Sequence, residues 1–229
     1  MTMDRDAAAG PPSSAYDPHL ASSAPEHDWA AAAEVLFPVL RPPGTRGTSL
    51  AAIDREHLTI EIQHPHAEPL LDPGPADLAL AYVLRTASFD ILVNADHVLG
   101  WQVDPDVIRS AAVGNLQAWS KDAAWTDELS GSRRLLASST GDGCDAARIL
   151  LPEVRAHLVA ELGDGARVLV GLPNRDLLVA GALRPDDPEF LGLFSSFVAD
   201  ASTDADEPID SRTFELADDE LRAVEVTPT

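Results

Sequence analysis

Asp142, Asp145, Arg175 and Asp176 are the polar residues whose types and spacing are best suited to chemistry. Asp142 and Asp145 flank Gly143-Cys144 at the entrance to a helix-forming run, and Arg175-Asp176 stand in the turn of an apolar hairpin. Two readings stay open. In one, Arg175 and the free N–H groups at the helix start bind an anion or a carboxylate-bearing partner, since both present directed donors. With a divalent ion, the same four residues would suit a small hydrolase or transferase. In the other, Asp145 caps its helix and Arg175 bridges to Asp142 or Asp145, locking turn to helix. The neighbouring acids favour the lock, because repulsion between unit charges about 4 Å apart is already ~1 kcal/mol in water.

Asn115 is a further ligand-binding candidate. It falls seven positions after Ile108 and four before Trp119, on the apolar face of a helix. A buried amide must find partners, either backbone groups at a strand end or a ligand in a pocket. Arg109 and Gln117 lie off that face and read as solvated. His57, His64 and His66 with Asp72 have metal-binding chemistry. Pro65 separates the closest pair and the segment is loop-like, so no metal site is assigned. His97 has the ionisation range of a general base but no nucleophile beside it, and reads as a loop histidine. Cys144, near a helix start, is either a thiol of lowered pKa or a small helix-entry residue. The chain has no Gly-x-Ser-x-Gly elbow, phosphate loop or paired-cysteine spacing, and Gly141–Asp145 lacks the register of a calcium loop. No catalytic residue and no cofactor is assigned.

Composition narrows the partners. The 229 residues carry 38 acidic and 16 basic side chains, a formal charge of -22, and are 45% apolar, enough for a core in one medium domain. Nucleic acid is excluded as a partner because backbone binding needs clustered Lys and Arg, and Lys121 is the single lysine. An anionic membrane surface repels such a chain. No apolar run reaches a bilayer span, and the start has no charged region followed by an apolar one. One cysteine fits a reducing compartment, so a cytoplasmic location is expected. A salt-adapted acidic surface is the rival account of the charge; it predicts a fold weakened at low salt.

The elements that must hold these residues follow from patterning. Residues 1–27, rich in Ala, Pro, Ser and Asp, read as a mobile tail, and 28–229 as one domain. Asp28 caps a helix from Trp29 to about Phe37, ended by Pro38. Leu58, Ile60 and Ile62 alternate as a strand, and 63–75 reads as a loop. Leu78–Leu84 and Phe89–Val93 form a hairpin. Asp104-Pro105-Asp106 opens a helix to about Ser120. Arg134–Ser138 is a strand, Asp145 opens a helix to Leu151, and Pro152 starts or kinks the next, to Leu162. A second hairpin spans Arg167–Leu183 around Pro173-Asn174-Arg175-Asp176. Asp187 caps a further helix with Pro188 first, followed by an acidic loop 200–210 and strands at 213–216 and 222–226. The class is α+β, with a mixed, largely antiparallel sheet and helices on one face. Two strand-strand-helix units suggest an internal duplication.

Four ordered pieces resemble the bacterial domain of unknown function 1444 family. They are Phe37-Pro38-Val39-Leu40-Arg41; the run Leu80–Leu116 with Ala81-Tyr82-Val83-Leu84, Asn94, His97-Val98-Leu99 and Asn115; Asp142–Leu150; and Leu172–Leu178. The resemblance covers about Phe37 to the C-terminus and implies a fold relative without a defined reaction. The family's additional N-terminal helix and strand have no counterpart here. Cys144 and Ala147 replace the aromatic and Ser common in the family turn, which removes one hydroxyl.

The sequence thus reads as a cytoplasmic binding or regulatory module with no evident catalytic centre, its partner a protein ahead of a small molecule. The hydrolase or transferase at Asp142, Asp145, Arg175 and Asp176 is the alternative. An acidic immunity or partner-masking protein is the third. The enzyme requires one concavity where those four side chains converge, whereas the module requires an exposed apolar patch or an open sheet edge.

Overall fold

The computed structural model describes residues 24–53, 67–86 and 89–224. The chain is α+β, built on two mostly antiparallel sheets. The first comprises β1 (Leu36–Arg41), β2 (Thr48–Ser49), β3 (Leu70–Pro73), β4 (Ala79–Arg85) and β5 (Asp90–Leu92), in the order β1-β4-β3-β2, with β5 also on β4. The second comprises β6 (Thr126–Ser130), β7 (Arg133–Ser138), β8 (Arg167–Asn174), β9 (Leu177–Leu183), β10 (Thr213–Ala217) and β11 (Glu220–Ala223), in the order β11-β10-β8-β9-β7-β6. Helices α1 (Trp29–Val35), α2 (Ala95–Trp101), α3 (Pro105–Ser120), α4 (Pro152–Leu162) and α5 (Glu189–Thr203) cover them.

The layers follow from two-residue alternation within the strands. On the first sheet, Leu36, Tyr82 and Leu84 face Ala32, Val98, Trp101, Ile108 and Ala112 of α1–α3. Phe37, Val39, Ala81 and Val83 point the other way, into a core shared with α4 and with Val168, Val170 and Ala180 of the second sheet. Leu169, Val179 and Leu183, on that sheet's far face, lie under Phe190, Phe194 and Val198 of α5. Helices therefore cover both faces of the second sheet. The expected one-sided arrangement fails because β8 and β9 are apolar at successive positions, so both of their faces need a cover. Gly171 lets α5 approach, since a Cβ there would stand 2.4 Å from Val198 Cγ2.

The hairpins and α3 form where the sequence places them. Asp104 accepts from the Asp106 N–H, with Pro105 at the first helical position. Asp28 caps α1 through the Ala30 N–H, but the helix ends at Val35. Pro38 sits inside β1 instead of stopping a helix; its lack of an N–H is tolerated because β1 is an edge strand among the described residues. Within the expected loop 63–75, residues 70–73 form β3. The strand expected at 58–62 lies outside the described residues, as does most of the 1–27 tail. Residues 24–27 make a turn, and Trp101 Nε1 donates to the Pro25 carbonyl at 3.0 Å.

Three further expectations are corrected. Asp187 stands one residue before the cap position, which Pro188 occupies with helical dihedrals; its carbonyl accepts from the Phe190 N–H at 3.2 Å, and its carboxylate, held by Arg133 at 2.5 and 2.9 Å, is lowered in pKa by Arg133 first and by the Phe190 N–H as well. The acidic run from Asp200 continues α5 to Thr203 before loop begins. The duplication does not recur element for element. In the first unit α2 intervenes and α3 packs on β1, whereas α5 follows its hairpin directly and packs on it.

Candidate functional site

The turn between β7 and α4 carries the polar constellation. Thr140 to Gly143 leave the sheet, Gly143 takes φ +71°, and Ala146–Leu150 form a short 3-10 turn leading to Pro152. A side chain at 143 would also have its Cβ 2.3 Å from Arg175 Nη2. Only glycine combines that backbone conformation with that approach.

Asp145 and Arg148 are the buried centre. Asp145 is 0% exposed and Arg148 1%. Asp145 Oδ1 accepts from Ser138 Oγ at 2.6 Å and Arg148 Nη1 at 2.5 Å; Oδ2 accepts from the N–H groups of Thr140 and Gly141 at 3.0 and 3.2 Å. The carboxylate is spent on the preceding turn, so the expected cap of the following helix is absent. Arg148 Nη2 also donates to Asp142 Oδ2. Arg148 is thus the bridge that sequence reasoning assigned to Arg175. Its spacing, three residues after Asp145 and six after Asp142, was the available signal.

Asp142 sits at the rim of this centre. Its Oδ1 accepts from the Cys144 N–H at 2.9 Å and its Oδ2 from Trp119 Nε1 at 2.8 Å. Burial pushes its pKa up, but hydrogen bonds from Arg148, Cys144 and Trp119 outweigh burial and hold it below the ordinary carboxylate value. Arg85, from the end of β4, donates to the Asp142 carbonyl and to Cys144 Sγ, and its guanidinium lies 5.3 Å from the Phe37 ring centre. Cys144 is buried, and burial pushes its thiol up to about 11, the reverse of an activated thiolate.

The β8–β9 turn docks against the same loop through one carboxylate and one carbonyl. Asp176 Oδ1 accepts from the Gly143 N–H at 2.7 Å, and the Ala146 N–H donates to the Arg175 carbonyl at 3.1 Å. The Arg175 guanidinium reaches Asp90 Oδ2 at 3.0 Å and lies 3.6 Å from Glu207. Burial works against its charge, but Asp90, Asp176 and Glu207 outweigh that and raise its pKa. Arg175 therefore ties the two sheets together and meets neither Asp142 nor Asp145 in an ion pair. A cleft of about 450 Å³ beside it is lined by Asn174, Arg175, Asp176, Ala205, Asp206 and Glu207. Asp142 and Asp145 are not among its lining residues, so the four candidates are neighbours that do not converge on one concavity.

The other candidates have structural partners. Asn115 Nδ2 donates to the Ala33 and Leu36 carbonyls at 2.7 and 2.9 Å, joining α3 to the α1–β1 junction. His97 lies in α2 and not in a loop. Asn94 Oδ1 accepts from its N–H, and its Nδ1 accepts from the Asn94 N–H, a reciprocal cap. Burial pushes the imidazole pKa down despite the nearby Glu26 and Asp96.

Arg109 is not merely solvated. It grips Asp72 at 2.7 and 2.8 Å, while the buried Tyr82 hydroxyl donates to Asp72 Oδ2 at 2.6 Å. Burial raises the Asp72 pKa, but these hydrogen bonds outweigh it and the net shift is downward. His57, His64 and His66 lie outside the described residues. Among the described ones no group of three His, Cys, Asp or Glu is placed to hold a metal ion.

No helix among the described residues is long and apolar enough to cross a membrane. Comparisons with protein-family models, curated proteins and solved structures find no match to this chain.

Proposed function

We propose that the chain is a non-catalytic binding module that takes an extended, basic segment of a protein partner onto the edge of β6. The observation that carries this reading is β6 itself. Among the described residues it ends the six-stranded sheet, all five of its own residues are exposed, and Leu129 is 71% exposed. An outer strand offers a row of N–H and C=O groups to a chain that pairs with it, and side-chain contacts then select the partner.

Charge selects the partner's character. Asp127 is held by Arg134 at 2.8 and 3.0 Å, while Glu128 forms no ion pair among the described residues. Glu128 is the central residue of the strand, so two copies pairing antiparallel about it would set like charges opposite each other, which disfavours self-association. A lysine or arginine at that place gains instead. The opposite edge strand of this sheet, β11, differs: Arg222 there bridges Asp218 and Glu220.

The non-catalytic half of the reading is supported by how the polar constellation is used. Asp145 is saturated by internal donors, Arg148 is shared between two carboxylates, and Cys144 is held neutral by burial. Groups so committed brace the turn between sheets. Membership of the domain of unknown function 1444 family belongs to the same proposal and adds no reaction to it.

The test titrates ¹⁵N-labelled protein with a short peptide of alternating Lys and Val, and with its Glu-Val counterpart. The Lys-Val peptide should shift the amides of 126–130, more weakly at high salt, and Glu128→Lys should reverse the preference. Equal response to both peptides, or none at β6, would sink the proposal.

A further inference from the structure

We propose that the cleft between the α4–β8 and β9–α5 turns is a binding site for a small apolar monocarboxylate. This goes beyond the β6 reading and uses none of its residues. The cleft encloses about 500 Å³ and is lined by Arg167, Leu183, Arg184, Pro185, Pro188 and Leu191 together with glycine and alanine of the α4–β8 turn. That volume lies within the range of small-molecule sites.

The wall is anomalous for this protein. A chain with 38 acidic side chains and a charge of -22 here builds a cavity with two arginines and no acid in its lining. The remaining lining is Gly, Ala, Leu and Pro. Two tight turns hold it open: the Ala166 N–H donates to the Gly163 carbonyl, and the Asp187 N–H to the Arg184 carbonyl. The pairing of Arg167 with Leu183 at the start of the β8–β9 ladder fixes the two turns side by side.

The two guanidiniums are not equivalent. Arg167 is engaged by both oxygens of Glu215, at 2.9 and 2.5 Å. Arg184 is half-buried and its side chain forms no ion pair or hydrogen bond among the described residues. Most other arginines in the described residues are held by a carboxylate, as Arg133 is by Asp187 just beyond this turn. A planar guanidinium with open donors matches the fork of a carboxylate, and a single free one matches a single negative charge. Leu183, Leu191, Pro185 and Pro188 suit the apolar body of the same molecule. The class that satisfies both is an aryl or short-chain acyl carboxylate.

The experiment titrates the full chain with phenylacetate, hexanoate and octanoate, each beside its primary amide, and with hexyl phosphate. Amide shifts at 163–166 and 191 and the melting midpoint are read in the natural chain and in Arg184→Gln. The carboxylates should move those amides and raise the midpoint, the neutral amides should not, and Arg184→Gln should weaken binding at least about ten-fold. The carboxylate-against-amide comparison in the natural chain does not depend on the variant folding. No shift with any carboxylate at millimolar concentration, equal binding of the amides, or unchanged affinity in Arg184→Gln overturns the proposal. Hexyl phosphate binding more tightly than hexanoate overturns the carboxylate assignment.

Discussion

Replacing Arg148 by Met removes a buried guanidinium while keeping much of its hydrocarbon volume. What remains is Asp145, fully buried, and Asp142, about one-fifth exposed, 19% at its side chain, both without their shared counter-charge. Removing one partner of a buried pair destabilises by about 3–5 kcal/mol because the other charge is left uncompensated. Asp145 keeps its donors from Ser138, Thr140 and Gly141, and Asp142 keeps Trp119 and Cys144, which places the loss near ~3 kcal/mol. In a domain of this size that lowers the melting midpoint by about 6–12 °C. Urea unfolding followed by circular dichroism measures it, with the slope against denaturant unchanged. Adding Asp145→Asn to Arg148→Met should restore part of the loss. The amide oxygen can face the Thr140 and Gly141 N–H groups while its NH₂ faces Ser138 Oγ, with no buried charge left over. A loss under about 1 kcal/mol, or two losses that simply add, refutes the reasoning.

Other perturbations test separate parts of the structure. Tyr82 has its phenol pKa raised by burial and by the Asp72 carboxylate. Its stabilisation is therefore complete below the unfolded value of 10 and is lost as pH rises through the higher folded value. In a Tyr16→Phe variant, where Tyr82 is the one tyrosine left, phenolate absorbance near pH 11 should be small in the native protein and appear on unfolding. At the acid end, Asp142 and Asp72 are held below 3.8, so their contributions are present above that value and vanish as pH falls through the folded pKa values. The midpoint should drop less between pH 5 and pH 3 in the Asp142→Asn, Asp72→Asn variant than in the natural chain. Cys144, buried with its thiol pushed up to about 11, should resist a thiol reagent at pH 8 until urea unfolds the chain; native labelling at the rate of a free thiol contradicts the placement. Gly143→Ala, which meets both a positive φ and the Arg175 guanidinium, should cost about 1–3 kcal/mol by the same urea assay.

Much of the fold was legible because local chemistry and tertiary structure agree. Asp104-Pro105-Asp106 starts α3 where capping rules put it, and the apolar runs of β8 and β9 flank a turn-forming tetrad. The misses have physical causes. β6 carries one apolar side chain in five and buries none, so no alternation marks it; it exists through pairing with β7. Pro38 reads as a helix stop unless the strand is known to lie at an edge. α2 hides because its reciprocal cap uses His97 where Glu or Gln is usual.

The candidate site was legible in place and not in wiring. Asp142, Asp145 and Asp176 do meet at one loop. Arg148 has the spacing to meet Asp145 and Asp142, but spacing alone does not say that the pair is buried, and Arg109 meets Asp72 only because α3 and β3 are neighbours in space. Spacing points Arg175 at Asp142 or Asp145, and its partner Asp90 becomes available only when the first sheet's hairpin packs against the second.

The measurement closest to the central claim is amide hydrogen exchange across Thr126–Ser130, with and without a saturating Lys-Val peptide. An added strand takes up outward-facing backbone groups of β6, so exchange there should slow while exchange at Asp142–Arg148 stays unchanged. Unaltered exchange at β6, or protection appearing at Asp142–Arg148 instead, contradicts the account.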